Sequence, residues 1–195
     1  MENAAILLLA AGASRRMGSR DKLLEDVDGV PLLARQAKAA LQTGAQVFVA
    51  VDKTRADRVS ALSGVDINLV SVAEAEKGMG QSIADGIRTL PPTIDMVAIL
   101  PADMPEITAE HIKHVLQSVS EAPEQVYRAA TDNGMPGHPV VFPKRLFPEL
   151  RKLTGDDGAR SVLTKCDFKL VPLPGTVAIT DLDTPEDWEN WRAKR

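Results

Sequence analysis

The chain has a single cysteine, Cys166, in 195 residues. One thiol cannot close an internal disulfide, and no Cys/His spacing suggests a zinc site, so a reducing, cytoplasmic setting is the expectation. Long apolar runs are missing as well. The stretch 6–11 follows Glu2, is too short to span a bilayer and lacks a basic leader, so it reads as a buried strand and not as a membrane segment. Positive charge is not in excess either. Acidic residues outnumber basic ones, 27 to 23, for a formal charge of -4, which argues against nucleic acid or an anionic membrane as a partner held by electrostatics. Any positive site must be local. There is also no internal repeat, low-complexity tract or long linker.

What is present is an alternating pattern. At 44% hydrophobic the chain can bury a sizeable core, and its length suits one domain over 1–195. Short apolar runs at 4–10, 47–51, 67–70 and 96–100 read as strands, with helical spacing at 32–41, 81–90 and 109–119 between or after them. Less regular strands follow at 126–130, 140–142 and 168–172, with a helix over 159–165. This order predicts an α/β fold, a Rossmann-like three-layer α/β/α sandwich whose mostly parallel, mixed sheet carries helices on both faces. Ligands are then expected where loops leave the carboxyl ends of the strands.

The loop after the first strand supplies the local positive site. Gly12 and Gly18 let a backbone approach closely, and residues 15–22 carry four cationic side chains against one aspartate. A chain of phosphates suits such a loop. The spacing matches neither the Gly-x-Gly-x-x-Gly dinucleotide loop nor the P-loop, because Lys22 does not follow Gly18 directly.

Acidic residues stand at two further loops. Asp103 follows the run 96–100, at the expected carboxyl end of a strand, an address that suits Mg²⁺ together with substrate phosphates; the alternative is a cap for the helix near Thr108. Asp181 and Asp183 precede Thr184-Pro185, which reads as a helix start with Thr184 as the cap. Trp188 and Trp191 are expected to pack that helix down, and His111 and His114 to lie on a solvated helix face.

Taken together, Leu9-Ala10-Ala11-Gly12, Ser14, Arg16-Met17-Gly18 and Lys22 resemble the signature of the MobA-like nucleotidyltransferase family. The resemblance extends over nearly the whole chain through Gly78-Met79-Gly80 with Ser82, LPADMP at 100–105, PGHPV at 136–140, TGDDGAR at 154–160 and DLDTPED at 181–187. It implies a fold similar to nucleotide-diphospho-sugar transferases, with a nucleotide-binding part over about 1–120 and an acceptor-binding part over about 121–195. The Leu-Ala-Ala-Gly form resembles the molybdenum cofactor cytidylyltransferase branch, and a methyl at Ala11 would narrow the space beside the base against a purine.

The resemblance further implies CTP as donor, Mg²⁺ as cofactor, a phosphorylated pterin as acceptor, and a molybdoenzyme or its maturation factor as downstream partner. Arg16, Lys22 and Asp103 would be catalytic. Ala10, Ala11, Gly12, Ser14, Arg16, Lys22, Gly78, Gly80 and Ser82 would surround the nucleotide, and Asp103 with Asp183 would hold the metal, Asp181 being the alternative. His138, Asp156 and Asp157 are acceptor-side candidates, although a lone loop histidine is as often structural and the two aspartates also suit a helix cap. Two competing readings stand beside this one: transfer to another small phosphate, such as a sugar or polyol phosphate, or from another nucleotide, and a non-catalytic carrier of the finished dinucleotide cofactor.

Overall fold

Every second residue of the first strand faces one core and the others face a second, which fixes a three-layer architecture from residue 4 onward. Ala4, Ile6 and Leu8 belong to one buried cluster, and Ala5 and Leu7 to another. The structure, a computed structural model, describes residues 3–195; Met1 and Glu2 lie outside them.

The elements in chain order are β1 (Ala4–Leu9), β2 (Asp26–Val27), β3 (Val30–Pro31), α1 (Leu32–Leu41), β4 (Gln46–Asp52), α2 (Ala56–Ala61), β5 (Asn68–Val72), α3 (Met79–Thr89) and β6 (Met96–Pro101). They continue with α4 (Ala109–Ser118), β7 (Val126–Ala130), β8 (Pro136–Pro143), α5 (Phe147–Leu150), α6 (Arg160–Leu163), β9 (Phe168–Pro172) and α7 (Pro185–Ala193). Seven strands form one sheet in the order β5-β4-β1-β6-β8-β7-β9. Only β8 runs against its neighbours, with Ile99 opposite Val140 and Arg128 opposite Val140 on its two sides. The sheet therefore crosses the boundary expected near residue 121 without a break.

Helices α1, α4 and α7 cover one face through Leu33, Ile112, Val115 and Trp188. On the other, α3 and α5 bury Ile83, Ile87, Phe147 and Leu150. Trp188 and Trp191 are fully or almost fully buried, as the three-residue spacing predicts. Thr184 caps α7 in a reciprocal pair with Asp187, and Pro185 takes the first helical turn. His111 serves as the partner of Thr108 in the equivalent cap on α4.

Two local differences from expectation have physical causes. Strand β8 is eight residues long, whereas its sequence signals only 140–142. Pro136, Pro139 and Pro143 mask it; the ladder tolerates them because pairing ends at Pro143 on one side and shifts register near Pro136 on the other. Helix α2 carries no apolar periodicity in its six residues and was not expected at all. It carries Arg58, to which the site returns. Among the described residues no helix is long and apolar enough to cross a membrane.

Candidate active site

The carboxyl ends of β1, β4 and β6 open into a cleft of about 500 Å³ lined by, among others, Ala11, Gly12, Ser14, Arg16, Lys22 and Asp103. Asp103 stands two residues beyond β6. Its carbonyl accepts a hydrogen bond from the Leu182 amide at 3.2 Å, which fastens the 181–183 segment beside the strand end. Carboxylate oxygens of Asp103, Asp181 and Asp183 consequently lie within 4.8 Å of one another.

Lys22 neutralises part of this charge. Its Nζ donates to Asp103 and, at 2.6 Å, to Asp183, while Arg16 reaches the second Asp183 oxygen at 2.6 Å. The Lys22, Asp103 and Asp183 side chains are only 14%, 15% and 18% exposed, so solvent screens their interaction weakly. Burial lowers the Lys22 pKa, but the two carboxylates outweigh it and hold the ammonium above its ordinary value. Desolvation first, and then repulsion by Asp103 and Asp183, push the Asp181 carboxyl up. Asp103 Oδ1 is buried without a hydrogen-bond partner. An orphaned buried oxygen among three clustered carboxylates is a donor set that fits a hard divalent cation.

The loop that presents Lys22 is held from behind by Arg58, which is fully buried. Its guanidinium donates to Asp21 Oδ2 at 2.7 Å and Oδ1 at 2.9 Å, to Ser14 Oγ at 2.9 Å and to the Ala10 carbonyl at 2.5 Å. Asp21 also accepts from the Leu23 amide and so caps the short turn that carries Lys22. Burial pushes the Asp21 carboxyl up, but Arg58, Leu23 and Ser14 outweigh it and hold it below its ordinary value. Nothing in the sequence marks Arg58. The only hint of the network is an aspartate directly before Lys22.

Ala10, expected at the nucleotide, lies behind the cleft: it is buried, and its carbonyl is taken by Arg58. Gly80 is likewise absorbed by packing. Its amide donates to the Gly155 carbonyl at 2.8 Å, and a Cβ there would meet the Thr154 backbone at 2.7 Å. Gly78, at φ 94°, makes the tight turn that this contact needs. Gly78, Ser82 and Asp156 line the cleft, whereas His138 and Asp157 line a neighbouring cavity of about 430 Å³ that shares Leu9 and Met79 with it. The capping alternative for Asp156 and Asp157 does not occur, because α6 starts after Ala159 with no side-chain cap. Asp103 likewise does not cap the helix near Thr108, since the Thr108 hydroxyl takes that role itself.

His138 is held neutral. Burial, and then the positive charge of Arg128, lower its pKa to about 4. Its ring resonances should therefore stay constant in an NMR titration from pH 8 down to roughly pH 5. Because the unfolded chain takes up the proton near 6.5 and the folded one near 4, this residue makes folding stability fall as pH drops through that interval. His138→Gln should flatten that part of the stability profile, and an unchanged slope would contradict the assignment.

A parallel-sheet cleft with a strand-end aspartate, a second acidic loop and a basic glycine-bearing loop defines a nucleotidyltransferase. The model of the MobA-like NTP transferase domain matches residues 6–170, and the chain belongs to that family. Purine catabolism protein PucB of Bacillus subtilis is 28% identical, over 94% of this chain and 93% of its own. A probable molybdenum cofactor guanylyltransferase of Natronomonas pharaonis is 25% identical over 96% of each. The crystal structure of an Rv0371c homologue from Mycobacterium sp. strain JC1 superposes with a TM-score of 0.85 at 24% identity, covering 98% of this chain and 96% of that one. Rv0371c of Mycobacterium tuberculosis, in complex with manganese, gives 0.80 at 20% identity over 96% and 97%.

Proposed function

We propose that this protein transfers CMP from CTP to the phosphate of a molybdopterin-type acceptor in a Mg²⁺-dependent reaction that releases pyrophosphate. The observation that carries the reading is the position of Lys22, shared by Asp103 and Asp183 in the lining of a cleft of about 500 Å³. In the reaction an acceptor phosphate oxygen forms a bond to the α-phosphorus, and the bond from that phosphorus to the bridging oxygen of pyrophosphate breaks. Asp103, with Asp183 and Asp181, would hold the divalent ion, which supplies Lewis-acid polarisation and charge neutralisation when bound. Lys22 and Arg16 bind the triphosphate and offset charge on the equatorial oxygens; the Arg58–Asp21 brace keeps Lys22 in place.

Ala11, nearly buried on the cleft wall, supports a smaller base through its methyl group. Relatives named as molybdenum cofactor guanylyltransferases support the acceptor class, and the manganese complex of Rv0371c supports a divalent metal. Pyrophosphate release measured with Mg²⁺, molybdopterin and each of CTP, GTP and ATP tests the proposal. CTP should be preferred. Faster release with GTP overturns the base assignment, and no release with any nucleotide, combined with tight binding of the finished dinucleotide, favours a carrier. Lys22→Ala should lower turnover by about 10²- to 10³-fold with the fold intact by circular dichroism; turnover near the wild-type value removes Lys22 from the chemistry.

A further inference from the structure

We propose that Arg128 is the anion anchor of the second cavity, which takes a phosphomonoester with a flat apolar body. This deepens the transfer reading and rests on it only for calling the ligand an acceptor. No motif in the sequence points to Arg128. It lies in β7, and its half-buried guanidinium has no carboxylate partner among the described residues. Its contacts are the Gly137 carbonyl, at 3.0 Å from Nε, the Pro136 carbonyl, at a marginal 3.5 Å from Nη2, and the Phe168 ring, 5.9 Å away. Two carbonyl bonds leave several of the five guanidinium N–H groups free. A half-buried cation with donors to spare favours an anion, above all phosphate, which its forked geometry fits.

The placement is suited to a reaction in the neighbouring cleft. Pairing of β6 with β8 ends with Ile99 opposite Val140, and Pro136 and His138, which precede Val140 on β8, line the second cavity. Arg128 donates to the Gly137 and Pro136 carbonyls and lines the same cavity. His138, which lines this cavity, lies within the field of both Arg128 and Asp103 and so links it to the strand-end aspartate of the cleft; being neutral, it leaves the positive charge to Arg128.

The rest of the cavity fits the body of such a ligand. Ile83, Ile99, Val140, Phe142 and Leu163 give apolar walls, and the cavity meets the nucleotide cleft at Leu9 and Met79. Two guanidiniums, Arg128 and Arg160, face one carboxylate, Asp157, a surplus of one positive charge. An uncharged apolar molecule would leave the Arg128 donors unpaired, so selectivity for the anion follows from the same geometry.

Phenyl phosphate is the probe. Titration calorimetry of the full chain should show phenyl phosphate binding and no comparable binding of phenol. Arg128→Gln should weaken phenyl phosphate by about 10- to 100-fold, and Arg128→Lys by less, since it keeps the charge and loses the fork. Equal affinity in wild type and Arg128→Gln, or no preference of the wild type for phenyl phosphate over phenol, overturns the anchor; the second comparison needs no variant and stands even if Arg128→Gln fails to fold. In the transfer assay Arg128→Gln should raise the acceptor KM and leave the nucleotide KM unchanged. Arg128-dependent binding without pyrophosphate release from any nucleotide would sink the transfer reading and leave the anchor standing. Transfer with an unaltered acceptor KM in Arg128→Gln would do the reverse.

Discussion

Asp103→Asn should lose metal-dependent pyrophosphate release by more than about 10³-fold, beyond the 10²- to 10³-fold typical of deleting one neutral stabilising donor, because a full ligand charge disappears. The substitution keeps the side-chain shape. It removes one of three carboxylates grouped within 4.8 Å and leaves Lys22 bonded to Asp183. The fold should therefore survive, with stability changed by no more than about 1–2 kcal/mol, since relief of carboxylate repulsion offsets the lost ion pair. Activity across a Mg²⁺ titration, paired with thermal unfolding of the same sample, separates the two effects. Retained activity at ordinary Mg²⁺ would contradict the role given to Asp103.

Arg58→Met acts chiefly on stability. It strands Asp21, whose side chain is 15% exposed and otherwise faces a guanidinium with no exposure at all. Breaking a buried pair from one side costs about 3–5 kcal/mol, a large share of the 5–15 kcal/mol that typically keeps a domain folded. Asp21 has a folded pKa below its unfolded value of about 3.8, so the pair's contribution is complete at neutral pH and is lost as pH falls through the folded value. Denaturant unfolding should show wild type and Arg58→Met far apart at pH 7 and converging in acid. Adding Asp21→Asn to Arg58→Met should recover part of the loss, since it removes the uncompensated charge. A difference under about 1 kcal/mol at pH 7 would show that the network is not a brace.

These two residues also mark the limit of what a reader of the sequence sees. The strand-end position of Asp103 is legible because it stands three residues beyond the buried run 96–100, which agrees with β6 to within a residue. The strands at 126–130 and 168–172 and the helix at 32–41 have the expected bounds. Arg58 was illegible. It sits on a helix too short to show periodicity, 37 positions from its partner, and charged residues are by default read as solvated. The choice between Asp181 and Asp183 stayed open for a different reason: both lie in a loop, where neighbouring side chains have no fixed period to separate them. The structure gathers both beside Asp103 and engages only Asp183 with Lys22 and Arg16.

The one antiparallel strand of the seven-stranded sheet, β8, gives the two cavities different origins in the chain. Around the cleft, residues arrive as strands end, on loops such as 10–22 and 102–108. On the other side His138 arrives as a strand begins, fed by the short hairpin that joins β7 to β8. A change in that hairpin can reshape the second cavity while every loop that builds the first stays as it is. Leu9, Met79 and the 156–160 segment, with Asp156 on the cleft and Asp157 on the second cavity, join the two, so the hairpin is the part of the second cavity that the first does not use.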